Sequence, residues 1–137
     1  MEHLLKTTIS VAGGVISYLL GGWGVLLTAL LLLNVFDYAT GMAANWGQIS
    51  SKVGFRGIIK KCVMWVWVVV ANLLYMVLQK EGFDSSQFIP NGVVILFIIN
   101  EITSLGENSI KLGVEPPAVI KKVLSSLALF NDKKGDK

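Results

Sequence analysis

The chain has 137 residues, 53% of them hydrophobic and 15% charged, with a formal net charge of +3. A water-soluble domain this small has a large surface to cover and typically carries about 25% charged residues, so the composition selects lipid as the solvent. The basic residues lie between apolar runs rather than in a stretch of their own, which argues against a nucleic-acid partner, and the single Cys62 and single His3 exclude an intramolecular disulfide, a multi-cysteine zinc site and a histidine-based triad within one chain.

A spanning helix needs about 20 mostly apolar residues. The first candidate runs over 4–20, diluted by Lys6, Thr7, Thr8 and Ser10 and by the pair Gly13-Gly14. It reads as a span, as a helix lying on the surface, or as a cleaved leader, though no small-x-small cleavage site follows Leu20. Gly21-Gly22 with Gly24 makes a break. The second span covers 23–45, bracketed by Trp23 and Trp46 where interfacial tryptophans belong. The third covers 58–78, with Trp65 and Trp67 as lipid-facing or interfacial anchors, and the fourth covers 90–111. Gly113 and Pro116-Pro117 then stop the helix. Over 117–130, Val119, Ile120, Val123, Leu124, Leu127 and Phe130 recur at helical spacing opposite Lys121 and Lys122, which predicts an amphipathic helix. Residues 131–137 form a polar tail. The expected fold is therefore an all-α integral membrane protein in one domain, with three to four transmembrane helices and a C-terminal amphipathic helix.

Charge sets the expected orientation. The loop before the third span holds Lys52, Arg56, Lys60 and Lys61 with no acid, and the C-terminal tail is rich in lysine. The positive-inside rule puts both in the cytoplasm. With four spans the N-terminus is cytoplasmic as well; with three it lies outside.

Within the spans, Asn34, Asp37, Tyr38, Gly41 and Asn45 recur on one face of the second helix. Asn100, Glu101, Ser104, Glu107, Asn108 and Lys111 form a stripe on the fourth, and Asn72 and Gln79 lie seven apart on the third. A charge at the bilayer centre costs about 2.5–3.5 kcal/mol or more, so Asp37 and Glu101 must be neutralised or face protein or water. Two readings stay open: the stripes are helix–helix contacts, or they line a watery path. No catalytic apparatus is visible, and neither a phosphate loop nor a metal-ligand set calls for a cofactor.

The order of motifs resembles the toxin-secretion/phage-lysis holin family of small multi-span proteins. The resemblance rests on Tyr18-Leu19-Leu20-Gly21-Gly22-Trp23, on Asp37-Tyr38-Ala39-Thr40-Gly41, and on the loop from Ser50 to Lys61. It continues through Asn100-Glu101-Ile102-Thr103-Ser104-Leu105-Gly106-Glu107-Asn108 and Leu112-Gly113-Val114-Glu115-Pro116-Pro117. It covers about 110 residues, from Tyr18 to Leu127. The family often has an acidic residue near the end of helix three, where this chain has Tyr75 or Gln79. The resemblance implies a non-enzymatic protein of the bacterial cytoplasmic membrane. Such a protein oligomerises among membrane lipids and opens lesions that release an endolysin or a toxin without binding that cargo specifically. The competing classes are a small ion channel or transporter subunit, and a membrane adaptor docking a partner through the basic loop.

Overall fold

A computed structural model of the chain describes residues 1–48, 50–83 and 87–132, with side chains described as far as residue 126. The described residues form five helices and no strand: α1 (Glu2–Leu19), α2 (Val25–Ala44), α3 (Ser51–Lys80), α4 (Phe88–Lys111) and α5 (Ala118–Asp132). Three of them, α2, α3 and α4, are long and apolar enough to cross a membrane.

The spans pack through narrow seams of heptad-like spacing. On α2 the seam is Leu27, Leu30, Asn34, Asp37 and Gly41; on α4 it is Val94, Ile98, Glu101, Leu105 and Asn108. On α3 it runs Gly54, Gly57, Lys61, Met64, Val68 and Asn72. Steps of three and four keep one stripe facing its neighbours along the whole helix. The closest packing is between α2 and α4, followed by α3 against α4, and α3 meets α2 more sparsely. The apolar core is small: Leu27 and Leu30, Met64 and Val68, and Val94, with Leu20 at one end. Leu26, Trp65, Val69, Phe97 and Ile98 pack around it, and many other apolar side chains of the spans, such as Val35, Phe36, Val66, Trp67 and Leu96, point outward. That inversion suits lipid, which solvates them as well as a core does.

Asp37 in the second half of α2 meets Lys61 in the first half of α3 and lies by Glu101 in the second half of α4, while Leu27, Val68 and Val94 share the core at the other end, so α2 and α4 run the same way and α3 runs against them. Gly21 holds φ +78°, and a Cβ there would sit 2.5 Å from Asn72 Oδ1. Asn72 in turn donates from Nδ2 to the carbonyls of Leu19 (3.1 Å) and Tyr18 (3.4 Å). The Tyr18 carbonyl also accepts from the Gly21 N–H at 3.1 Å, and the amide of α3 adds a tie from outside the helix that fastens the α1–α2 turn. No residue of α1 itself is buried. Trp23 adds a second tie. Its indole donates to Thr28 Oγ1 at 3.0 Å, and its ring stacks on Trp65 at 6.2 Å, nearly parallel. Trp65 is thus a packing partner rather than a free interfacial anchor, whereas Trp67 and Trp46 are exposed.

The third helix differs most from the sequence expectation. It begins at Ser51, seven residues before the expected span, and Ser50 Oγ caps it by accepting from the Val53 N–H at 3.3 Å. Its 30 residues extend about 45 Å, against about 30 Å of hydrocarbon. The segment read as a basic loop is therefore helix, and its first turns carry Lys52 and Arg56, both exposed.

After α4, Gly113 at φ +84° reverses the chain, and Ser109 Oγ donates to the Val114 carbonyl at 2.7 Å. Pro116 packs against Gly106. The amphipathic segment is helical as expected, and Val119 and Val123 are exposed on it. The side chain of Leu127 lies outside the described residues, as does the tail beyond Asp132.

Candidate functional site: an ionic cluster between three helices

Each span contributes one charge to a single cluster. Lys61 of α3 donates from Nζ to Asp37 Oδ2 of α2 at 2.8 Å and to Glu101 Oε2 of α4 at 2.5 Å. The three side chains are 18%, 14% and 6% exposed, respectively. Counted along the helices, Asp37 lies about 10 Å from the end of α2, and Lys61 and Glu101 about 15 Å from the nearer ends of α3 and α4. The cluster therefore sits inside the span, toward the end where α2 finishes and α3 begins.

Amides and hydroxyls complete the coordination. Asn108 Nδ2 donates to Asp37 Oδ1 at 3.0 Å and to the Asp37 carbonyl at 3.2 Å, with Thr40 Oγ1 at 3.4 Å. Gly41 leaves room for this: a Cβ there would lie 3.3 Å from Asn108 Nδ2. One turn along, the Tyr38 ring lies against α3 where Gly57 and Gly54 have no side chains; a Cβ at either would lie 3.5 Å from the tyrosine. A side chain longer than that of alanine at either position of this two-glycine notch would press on the Tyr38 ring and push α3 away from α2. A cleft of about 670 Å³ opens beside the cluster, lined among others by Asn45, Lys60, Asn100 and Ser104.

The structure thus brings together Asp37, Glu101 and Asn108 among the sequence candidates, with Ser104 half-buried at the edge of the cleft. Asn34 is buried one turn from Asp37 and donates to the Leu30 carbonyl at 2.6 Å, while its Oδ1 has no partner among the described residues. Asn100 and Glu107 are exposed. At 100° per residue they lie about 100–120° around α4 from Glu101, off the seam that meets α2 and α3. Of the four residues assigned to a basic loop, Lys61 is the counter-ion of the cluster, Lys60 lines the cleft, and Lys52 and Arg56 stay outside. The signal for Lys61 was in the sequence: stepping back from Asn72 through Val68 and Met64 lands on it. Among the described residues no group of histidine, cysteine and carboxylates is placed to hold a metal ion.

Three apolar helices with a charged seam define a multi-pass helical membrane protein. A profile described as the bacteriophage holin family matches residues 14–128. The chain belongs to that family. It is 37% identical over 129 residues to an uncharacterized protein of Halalkalibacterium halodurans, covering 93% of this chain and 96% of that one. An uncharacterized protein of Listeria innocua is 32% identical over 138 residues, with 99% and 93% covered. A probable holin of Bacillus phage phi105 is 30% identical over 113 residues, with 81% and 80% covered. No solved structure matches the chain.

Proposed function

We propose that this chain is a working holin of the bacterial cytoplasmic membrane: copies accumulate, assemble laterally and open lesions through which a cell-wall hydrolase or a toxin leaves. The observation that carries this reading is the Asp37–Lys61–Glu101 cluster, one charge from each span, held inside an otherwise lipid-facing protomer. Charges kept from water are expensive, and their mutual attraction offsets the expense only while the three helices stay together. When α3 parts from α2 and α4, the same groups need water, and copies arranged around a common lumen supply it. The gain per copy is a few kcal/mol, but it multiplies over many subunits, so opening is abrupt in density. Lys61 thus works as a latch on the closed form.

Lys52, Arg56 and Lys60 lie toward one end of the bundle, and the positive-inside rule makes that end, with the C-terminus, cytoplasmic. The α5 helix then lies on the inner membrane surface, its apolar face of Val119, Ile120, Val123 and Leu124 toward lipid. The protein performs no covalent chemistry on this reading.

The test is induced expression in bacteria followed by efflux of solutes of graded size. Abrupt loss of small dyes and then of cytoplasmic proteins is expected. Ion leakage alone, with proteins retained at full membrane accumulation, overturns the proposal.

A further inference from the structure

Two clefts enter the three-helix body from opposite ends. The larger, beside the ionic cluster, reaches inward to Met64 on α3 and Phe97 on α4. The other, about 370 Å³, enters at the Trp23 end past Gln87 and Asn91 and reaches Leu27, Val68, Asn72 and Val94. Between their inner walls lies at most one turn of helix: on α4 Val94 and Phe97 are three residues apart, about 4.5 Å of rise, and on α3 Trp67 of the larger cleft adjoins Val68 of the smaller one. On α2 the residues between the two clefts are Leu30 and Asn34. Leu30 is 0% exposed and Val68 1%, the most buried side chains of the core.

A second observation lies in the same layer. Asn34 is 5% exposed and its Oδ1 is the buried side-chain oxygen with no hydrogen-bond partner among the described residues. An apolar layer built only to pack gains nothing from such an atom, which loses its hydration without return. It provides a foothold for water halfway between the two clefts. The inner end of the larger cleft holds two carboxylates against the one ammonium of Lys61, with Lys60 farther along the wall. The inner end therefore favours cations.

We propose that each protomer carries its own narrow path for water and small cations, closed in this structure by the apolar layer of Leu30, Val68 and Val94. The path is separate from the lesion: it belongs to one chain, needs no assembly and is too narrow for a dye. A constriction of this kind gates by staying dry, and each polar group added to it shifts the balance toward wetting.

The test uses the full chain in liposomes at low protein density, with a trapped pH-sensitive dye, trapped calcein and an imposed potassium gradient. Val68→Thr and Val94→Thr keep side-chain shape and add one hydroxyl to the layer. Each is expected to raise proton and potassium flux about tenfold, because a buried hydroxyl without a partner gains from hydration, with calcein retained and flux per chain unchanged on dilution. Val66→Thr, on an exposed position of the same helix, is the control and leaves flux at the wild-type value. The proposal is overturned by inserted, helical layer variants that leak no more than wild type, or by equal leakage from Val66→Thr. Flux that climbs steeply with protein density, or chloride passing in preference to potassium, also overturns it. If both layer variants fail to insert where Val66→Thr succeeds, the layer cannot take up water, and the path is excluded.

Discussion

Replacing Lys61 with methionine keeps the stem of the side chain and removes its charge. Asp37 and Glu101, which share that ammonium at 2.8 and 2.5 Å, are then left facing each other with little water around them. Removing one partner of a buried ion pair costs about 3–5 kcal/mol, most of it the penalty of the stranded charge. Here two carboxylates are stranded, so the upper part of that range applies. The Trp23–Trp65 stack couples α3 to the α1–α2 turn, and tryptophan fluorescence in detergent reads its loss. Lys61→Met is expected to unfold at lower temperature than wild type, and its release after induction is expected earlier, because the latch is gone from the start. Replacing Asp37, Lys61 and Glu101 together by Asn, Met and Gln removes the stranded charges and is expected to recover most of the stability. It does not recover abrupt opening, since there is then no charge to rehydrate. Wild-type stability and wild-type timing in Lys61→Met would refute the latch.

Gly57→Ala is expected to be neutral or slightly stabilising, because its Cβ meets the Tyr38 ring at ordinary contact distance and alanine favours helix by about 1 kcal/mol; Gly57→Leu is expected to lower the melting temperature by forcing Tyr38 out. Gly21→Ala must adopt a left-handed backbone at about 1–2 kcal/mol and also displace Asn72, so faster proteolysis of α1 in detergent is expected. Aspartates at Val123 and Leu127 put charge on the apolar face of α5; slower or absent release is expected at normal membrane insertion, checked by timing at equal expression. Lys121 beside Glu115 holds the Glu115 carboxyl below its usual range, by hydrogen bond and by charge. The contribution of this pair is therefore present above the normal carboxylate range and is lost as pH falls through the lowered value. Circular dichroism of Glu115→Gln is expected to match wild type at acid pH and to differ from it near neutrality.

Much of this architecture can be read from residue order. The three spans, the break at Gly21-Gly22, the stop at Pro116-Pro117 and the α5 helix follow from apolar length and turn chemistry. The polar faces of α2 and α4 follow from steps of three and four. What pairs them does not, because it depends on how α3 is rotated and where it starts. The lysines at 60 and 61 carry the usual signature of a membrane edge, and that signature conceals that they point about 100° apart, one lining the cleft and one joining the cluster. The two-glycine notch is equally hidden: Gly54 and Gly57 weaken helix propensity locally, and their use appears only once Tyr38 lies against them. In the sequence Asn72 and Gln79 lie seven apart on one face of α3, but that Asn72 serves the carbonyls of Tyr18 and Leu19 is a long-range contact with no local trace.

On the proposed mechanism, release requires α3 to part from α2. With cysteines at Tyr38 and Gly57 in a Cys62→Ser background, a short reducible linker joins the two helices where they touch. Full chains so bridged are placed in liposomes loaded with a fluorescent protein, at densities where the unbridged chain releases it. Retention is expected while the bridge is intact, with prompt release on adding reductant. Full release through an intact bridge would contradict it.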